Sequence, residues 1–533
     1  MLNRRKFIIT TGLGAIGIST LNGFYGCRKR ESNELPTLIG NLPRSTPEMQ
    51  GVDSSGLLKF LDEADKSGIE FHSLMVIRNG HVVAEGWWDP YKPSYKHTLY
   101  SLSKSFTSSA IGLAVQEKRL SVEDSVVSFF PDAEINNPDP LLSELKVKHL
   151  LTMSVGHDGD TYQLMKKSES GGWENVFLNQ AFKHNPGEVF FYNSGATFML
   201  SAIIQKLTGD SLLAYLRPRL FEPLEISGMD WETNPDGICK GATGLRVKTE
   251  DIAKLGLLYL QNGKWNAKQI LSEDWVKAAS SKQIHSGSQD PNDPQDNDWS
   301  QGYGYQFWRN RPGGFRADGA FGQYSMVLPN KNAVIAITEE SFDMQKTMNL
   351  VWDHLLPAMK DGGELEGAVK VQSNLNLKLQ DLSITPKIIS RSSPITNTIC
   401  AAYWNLEPNE MGAMKVSFSF SEKECRFELE DEYGHHTINC GLESWNSDNR
   451  KTQAQSLFPF TGKTDAISNI SAFATWRNDN QLEMTWRLVE TAHHDLITCK
   501  FNESEIELSF MNSVSKNRPN EPDYRKPIIG KLV

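Results

Sequence analysis

The chain has 533 residues, of which 39% are hydrophobic and 23% charged, and its formal net charge is −10. This length is enough for two or three domains, and the composition is that of a globular protein with a large core. Because binding to nucleic acid needs a basic face, the acidic balance argues against nucleic acid as a partner.

The N-terminus has the features of an export signal. An Arg-Arg-Lys cluster at residues 4–6 precedes an apolar run over residues 7–21, which is too short to span a membrane. The stretch NRRKFI resembles a bacterial twin-arginine signal. GFYGC resembles the lipobox of bacterial lipoproteins, in which Cys27 would be the lipidated residue. We therefore expect residues 1–27 to direct export, and the mature protein to be periplasmic or a lipoprotein whose lipid is its only contact with a membrane.

Residues 28–50 are polar and contain proline, which predicts a linker. The next segment, SGLLKFLDEADKSG, has the spacing of a helix with one apolar side. That side consists of Leu57, Leu58, Phe60, Leu61 and Ala64.

Two strands and a second helix are predicted next. FHSLMVIRNGHVVAEGWW predicts a hairpin that turns at Asn79 and Gly80, since Asn-Gly between apolar runs favours a two-residue turn. SLSKSFTSSAIGLAVQEKRLS predicts a helix that begins near Ser101. Because it is rich in small residues and has almost no charge before Glu117, we expect it to be buried on all sides. Further helices are predicted in TEDIAKLGLLYLQNG, ILSEDWVKAAS and TMNLVWDHLLPAM, and strands in GYGYQFWRN and YSMVLPNKNAVIAITEES. We assign these elements to a first domain at residues 51–360.

The last third of the chain has a different pattern. Residues 361–385 begin with KDGGELEG and predict a second linker. From about residue 386, short segments alternate apolar and polar residues between turns, which is typical of antiparallel strands. We expect residues 386–533 to form a barrel-like accessory β domain.

Ser101 and Lys104 lie three residues apart and share one face of the predicted buried helix. A serine hydroxyl is a poor nucleophile until a neighbour takes its proton, and a lysine can do so where burial lowers its pKa. The Ser-x-x-Lys pattern also begins at Ser143 and Ser513, but in charged or polar surroundings that favour a structural position. Ser101 is therefore the candidate nucleophile.

With these motifs the chain resembles the β-lactamase and penicillin-binding-protein superfamily, in particular its class C β-lactamase-like esterases and amidohydrolases. The resemblance covers about residues 52–360. It is carried by HSLMVIRNGHVVAEGWW, YSLSKSFTSSAIGLA, VKHLLTMSVGH, PGEVFFYNSGATFMLSAIIQKLTG, GLRVKTEDIAKLGLL and FRADGAFGQYSMVLP. It implies an α/β (α+β) fold in which an antiparallel sheet is flanked by helices, beside a mostly helical subdomain and ahead of the C-terminal antiparallel β domain.

The second motif of this superfamily corresponds to Tyr192-Asn193-Ser194. In the family this tyrosine passes protons to and from the nucleophile, which implies that Ser101, Lys104 and Tyr192 are the catalytic residues. A tyrosine has a pKa near 10 in water, so it would need the positive charge of Lys104 to act as a base near neutrality. Ser194 replaces the usual asparagine, as in nylon-oligomer-type amide hydrolases, and is expected to contact substrate.

The third motif corresponds to the segment from Ala317 to Ala320. The resemblance implies that the N–H groups of Ser101 and Ala320 hold the oxyanion and that Ala317 and Gly319 line the substrate site. Ala317 replaces the lysine or histidine that helps β-lactamases and peptidases bind a substrate carboxylate. Arg316 is not expected to replace that charge, because adjacent strand residues face opposite sides.

The expected activity is a serine hydrolase that cleaves an ester or amide of a small molecule or peptide through an acyl-enzyme on Ser101, without a cofactor. A peptidoglycan-directed DD-peptidase or β-lactamase is the alternative that export favours, and a non-catalytic surface binding protein is the second alternative. His157 could join a serine triad, but Lys104 already supplies a base, so a structural loop histidine is favoured. The histidines show no helical ligand spacing, and no metal site is predicted.

Overall fold

The computed structural model describes residues 42–136, 138–287, 297–367, 369–432, 434–450 and 469–533. The predicted export signal and Cys27 lie outside the described residues, so lipidation stays a prediction. None of the described helices combines the length and the apolar character that crossing a membrane requires. The described residues, from 42 onward, form one compact unit.

Helices and strands alternate through the first two thirds of the described chain, and strands dominate the last third. The strands are β1 (Glu70–Arg78), β2 (His81–Trp87), β3 (His97–Thr98), β4 (Asp230–Trp231), β5 (Leu245–Val247), β6 (Lys264–Trp265), β7 (Lys268–Gln269), β8 (Trp308–Arg309), β9 (Phe315–Gly319), β10 (Gln323–Leu328), β11 (Ala333–Glu340), β12 (Tyr403–Leu406), β13 (Ala413–Phe420), β14 (Glu424–Asp431), β15 (Gly434–Gly441), β16 (Asn446–Arg450), β17 (Asn469–Asn478), β18 (Gln481–Leu488), β19 (His494–Phe501), β20 (Glu505–Asn512) and β21 (Ile528–Leu532). The α-helices are α1 (Ser54–Ser67), α2 (Ser103–Gln116), α3 (Val147–Leu151), α4 (Tyr162–Lys167), α5 (Trp173–Leu178), α6 (Ser194–Thr208), α7 (Leu212–Leu216), α8 (Thr249–Leu260), α9 (Glu273–Ser280), α10 (Met344–Leu350), α11 (Leu356–Ala358), α12 (Val369–Gln380), α13 (Thr396–Ile399) and α14 (Ser513–Asn517).

Six antiparallel strands form the central sheet, in the order β2-β1-β11-β10-β9-β8. The predicted hairpin is confirmed: β1 and β2 are joined by Asn79 and Gly80, which both have positive φ. The strand predicted in GYGYQFWRN is confirmed only in part: Tyr303 forms isolated bridges, and Trp308 and Arg309 pair as β8. The left-handed Gln306 (φ 65°) interrupts the extended backbone just before them.

Both faces of the central sheet are covered by helices. Side chains alternate along a strand, so Met75 and Ile77 of β1 join the core with α2, α6 and α8, while Leu74 and Val76 join the core with α1. The predicted apolar side of α1 is confirmed. Its Leu57, Phe60, Leu61 and Ala64 are buried, and Leu58 is partly buried.

The helix α2 is buried along almost its whole length, from Ser103 to Ala114, as its composition predicted. A buried hydroxyl needs a hydrogen-bond partner, and those of α2 find backbone carbonyls on neighbouring loops. Ser105 donates to the carbonyl of Gln306 at 2.7 Å, and Ser108 donates to that of Tyr305 at 2.7 Å. These bonds fix the helix between the sheet and the helical subdomain.

The last third of the chain is a β-barrel. Its ten strands follow the order β15-β14-β13-β12-β21-β20-β19-β18-β17-β16, and a further pairing of β15 with β17, at Gly441 and Phe473, closes the sheet. Alternate residues of β13, β14 and β18 to β20 are buried, which accounts for the alternation in the sequence.

Both segments predicted as linkers contain packed residues. Arg44, in the predicted first linker, is held by Glu85 at 2.9 Å and Glu250 at 3.0 Å. The predicted second linker contains α12, whose Leu375 is buried in the core that includes α1. Partners far away in sequence, which the local composition does not reveal, therefore order parts of both segments.

Candidate active site

The start of α2 brings Ser101 and Lys104 together. A short 3₁₀ turn, Tyr100–Leu102, leads into the helix. The Lys104 Nζ lies 3.0 Å from the Ser101 Oγ and donates to the carbonyl oxygen of Ala242 at 2.9 Å. Only 2% of Lys104 is exposed.

Burial also sets the charge of this amine. It lowers the pKa of Lys104 from 10.5 to about 7, although the carboxylates of Asp160 and Asp318 oppose the shift. A large share of Lys104 is therefore neutral near pH 7, and a neutral amine has a lone pair that can accept a proton.

Tyr192 completes the group that the sequence predicted. The centroid of its ring lies 4.9 Å from the Lys104 Nζ. The ring also stacks on that of Trp308 at 5.6 Å and meets that of Tyr303 edge-on at 6.4 Å. Burial and the charge of Asp318 raise the pKa of Tyr192, and a hydrogen bond with Ser101 only partly offsets this. Burial therefore favours the protonated phenol, which has a proton that it can donate.

The second motif forms the start of α6. Asn193 is buried, and its side chain accepts hydrogen bonds from the N–H groups of Gly195 and Ala196, as an N-cap does. The Ser194 N–H donates to Asp160 at 2.9 Å, and the Ser194 Oγ lies 3.4 Å from the Lys104 Nζ. Ser194 thus lies beside the lysine.

The third motif lies at the end of β9, against the turn that carries Ser101. A Cβ on Gly319 would lie 2.1 Å from the Leu99 carbonyl oxygen, so only glycine lets this strand come so close. The strand ends there and Ala320 follows. Within the described part of the chain, the N–H groups of Ser101 and Ala320 donate to no other residue, which leaves both available for an oxyanion.

The strand β9 also places a small residue, Ala317, and a pair of opposite charges, Arg316 and Asp318, beside the site. Ala317 is buried on the same face as Gly319. Arg316 is fully buried and pairs with Asp318 at 2.9 Å, so its charge is neutralised within the strand. Burial raises the pKa of Asp318, while Arg316 opposes that rise.

Three groups around Lys104 escaped the sequence analysis: Asp160, Asp318 and the carbonyl of Ala242. No local signal in the sequence marks these three groups as neighbours of Lys104, because each lies far from it along the chain. The start of α6 was different, since Asn193 before a long apolar run is a recognisable N-cap signal.

His157 lies in an aromatic setting. Its ring contacts those of Phe177 and Phe182 at 4.7 and 4.9 Å, and neither ring nitrogen has a hydrogen-bond partner among the described residues. Burial lowers the pKa of His157 to about 4. These contacts favour the structural interpretation over a triad.

One group of possible metal ligands occurs in the described residues. Donor atoms of Glu70, Glu340 and His494 lie within 4.8 Å of one another. However, Arg487 donates to both oxygens of Glu70, and His493 pairs with Glu340 at 2.7 Å. We therefore interpret the group as an ion-pair network between the central sheet and the barrel.

An antiparallel sheet flanked by helices, with Ser-x-x-Lys at the start of a buried helix, defines the β-lactamase-like fold. The family model described as Beta-lactamase matches residues 60–355, which is more than half of the chain. The chain belongs to this family.

A hydrolase is among the relatives of the chain. Uncharacterized protein BpOF4_21049 from Alkalihalophilus pseudofirmus is 23% identical over 365 residues, covering 61% of this chain and 95% of that protein. The 6-aminohexanoate-dimer hydrolase of Paenarthrobacter ureafaciens is 22% identical over 222 residues, covering 39% of this chain and 56% of that enzyme.

The solved structures that match the chain have low sequence identity and TM-scores below 0.5. The octameric penicillin-binding protein homologue from Pyrococcus abyssi is 17% identical with a TM-score of 0.45, covering 89% of this chain and 98% of its own. The D-amino acid amidase from Ochrobactrum anthropi SV3 is 18% identical with a TM-score of 0.44, covering 57% of this chain and 97% of its own.

Replacing Lys104 by Met should change stability in a pH-dependent way. Because the pKa of Lys104 is about 7 in the folded chain and 10.5 without burial, the unfolded chain binds more protons between these values, and wild-type stability rises with pH across that window. The free energy of unfolding of Lys104→Met minus that of the wild type should therefore be larger at pH 6 than at pH 9, by roughly 2–3 kcal/mol. Urea unfolding at both pH values measures this difference. Exposed Lys66→Met is the control, and an equal difference at both pH values would contradict the buried-amine interpretation.

Adding one methyl group at Gly319 should disturb the contact between β9 and the turn before α2. Gly319→Ala should lower the free energy of unfolding by roughly 1–3 kcal/mol, because the new Cβ overlaps the Leu99 carbonyl. Gly363→Ala is the matched control, since its Cβ would meet nothing within 4 Å. Thermal and urea unfolding compare the two variants, and equal stabilities would show that the strand does not need this close approach.

Proposed function

We propose that the chain is a serine hydrolase that cleaves ester or amide bonds through an acyl-enzyme on Ser101. The observation that carries this proposal is the buried Lys104 amine, with a pKa of about 7, at 3.0 Å from the Ser101 hydroxyl. A base with a pKa near the working pH can take up a proton and release it again. The family match and the similarity to the 6-aminohexanoate-dimer hydrolase support the same reaction class.

In the proposed acylation, neutral Lys104 accepts the Ser101 proton as the oxygen attacks the substrate carbonyl carbon. The N–H groups of Ser101 and Ala320 bind the negative oxygen of the tetrahedral intermediate. As the carbonyl re-forms, Tyr192 donates its proton to the leaving alcohol or amine and regains one from protonated Lys104. In deacylation, water attacks the ester, its proton passes to Lys104, and Ser101 is re-protonated as the acid leaves.

The substrate class follows from the third motif. Ala317 carries no charge, and Arg316 is already paired with Asp318 inside the protein. The motif therefore lacks the free cation that would attract the carboxylate of a penicillin or a peptide terminus. We propose a small or peptide-like ester or amide that lacks such a carboxylate at this position.

Labelling with a fluorophosphonate probe tests the nucleophile. The wild type should be labelled covalently, and Ser101→Ala should lose the label because the reacting oxygen is gone. Ser143→Ala is a matched control, since it removes the serine of another Ser-x-x-Lys pattern at an exposed position. Label that persists in Ser101→Ala would refute the assignment, and stable acylation by a fluorescent penicillin would favour the DD-peptidase or β-lactamase alternative.

Turnover of p-nitrophenyl acetate should rise with pH through about 7, as the Lys104 amine loses its proton. Tyr192→Phe removes the proposed acid and should lower turnover about 10²- to 10⁴-fold. Because Lys104 is unchanged in this variant, the midpoint of the pH profile should stay close to 7. A midpoint that moves far from that value in Tyr192→Phe would instead assign the titration to the tyrosine.

A further inference from the structure

The loop between β18 and β19 of the barrel is buried against the turn that carries Ser101. Residues 489–493 form this loop, and all five are buried. The Glu490 carbonyl accepts hydrogen bonds from the Thr98 N–H at 2.9 Å and the Thr98 hydroxyl at 3.2 Å. Burial raises the pKa of Tyr100, the residue before Ser101, and the backbone of Ala492 beside its hydroxyl opposes that rise. The barrel therefore reaches the chain on the N-terminal side of the nucleophile.

His493 connects this loop to both halves of the proposed oxyanion site. Its ring meets the ring of Phe321 edge-on at 4.6 Å and that of Tyr100 edge-on at 5.8 Å. Tyr100 and Phe321 also contact each other, at 5.2 Å. The three rings form one cluster, and edge-to-face contacts of this kind favour a fixed geometry.

The two aromatic partners of His493 have unusual backbone conformations. Tyr100 has φ 48° and Phe321 has φ 64°, which is the left-handed region that side chains disfavour. Such conformations persist only where the surroundings hold them. Tyr100 shares a peptide bond with Ser101 and so sets the direction of the Ser101 N–H group. Phe321 directly follows Ala320 and fixes the path of the chain on the C-terminal side of the second proposed oxyanion-binding N–H group.

The sheet in turn holds His493. Its Nδ1 lies 2.7 Å from the Glu340 carboxylate at the end of β11, and the Ser513 hydroxyl donates to the same oxygen. The next residue, Ser341, donates its N–H to the Phe321 carbonyl at 2.9 Å. The histidine ring is therefore fixed relative to the strand end that also fixes Phe321.

We propose that the C-terminal barrel is a working part of the active site, in which His493 holds Tyr100 and Phe321 so that the N–H groups of Ser101 and Ala320 point at the substrate oxygen. This inference rests on the proposed function of Ser101. His493 touches no reacting atom in this scheme and is a positioning residue. A barrel that served only as an appended binding module would have no need to reach these two backbone positions.

His493→Gln is the main test, because an amide can keep the hydrogen bond to Glu340 while the ring contacts are lost. With p-nitrophenyl acetate, kcat should fall about 10- to 100-fold while KM and the pH midpoint stay near wild-type values, since the defect lies in oxyanion stabilisation and not in Lys104. His493→Phe restores a ring and should recover part of the loss. Exposed His435→Ala in the barrel is the control and should behave as the wild type. Wild-type kcat in His493→Gln would overturn the inference.

Hydrogen exchange of the full chain gives a second readout that does not depend on turnover. In His493→Gln, amides of residues 99–103 and 319–323 should exchange faster, while those of β1 and β11 stay protected. Unchanged exchange in both segments would overturn the inference even if Ser101 proves to be the nucleophile. If the wild type fails to react with the fluorophosphonate, the proposed function fails, and faster exchange would still support the coupling of the barrel to these turns.

Discussion

Lys104 keeps its amine out of water among the Ala242 carbonyl, two serine hydroxyls and the ring of Tyr192. A charged amine loses hydration in such a place, and this loss lowers its pKa into the range where it can act as a base. Apart from Lys104, α2 carries no charged residue, and its composition together with the close approach of β9 helps to exclude water from this place. The proposed division of labour follows: the amine accepts the proton, and the tyrosine, which burial keeps protonated, supplies one.

The same low polarity has a cost, because each buried charge needs a partner. Arg316 and Asp318 neutralise each other beside the site, while Arg487 and Glu70 do so between the barrel and the central sheet. The second pair, with His493 and Glu340, makes the boundary between the two regions a network of specific contacts. This network helps to join the described residues into one compact unit, although the change of sequence pattern predicts two separate domains.

The residues with strained backbone conformations around the proposed oxyanion site pack directly against the residue that we propose holds them. Tyr100 and Phe321 both adopt left-handed backbone conformations, and both pack on the ring of His493 from the other end of the chain. Because Gly319 has no side chain, β9 can lie directly against the turn before Ser101. Two N–H groups from distant segments are thus held in fixed places by contacts that themselves join three parts of the fold.

The sequence by itself determined the elements that depend on neighbouring residues. The Asn79-Gly80 turn, the apolar side of α1, the burial of α2 and the alternation of the barrel strands all follow from short-range spacing and backbone preference. The three motifs, and with them Ser101, Lys104 and Tyr192, were readable from their order in the chain.

Only the tertiary structure decided the environment of these residues. The Lys104 amine and its Ala242 partner are 138 residues apart, and Thr98 and Glu490 are 392 residues apart. A pKa depends on the charges and the water around a group, and no local pattern records which distant segments exclude that water. For the same reason, the protonated state of Tyr192, the pairing of Arg316 and the reach of the barrel loop became visible only in the folded chain.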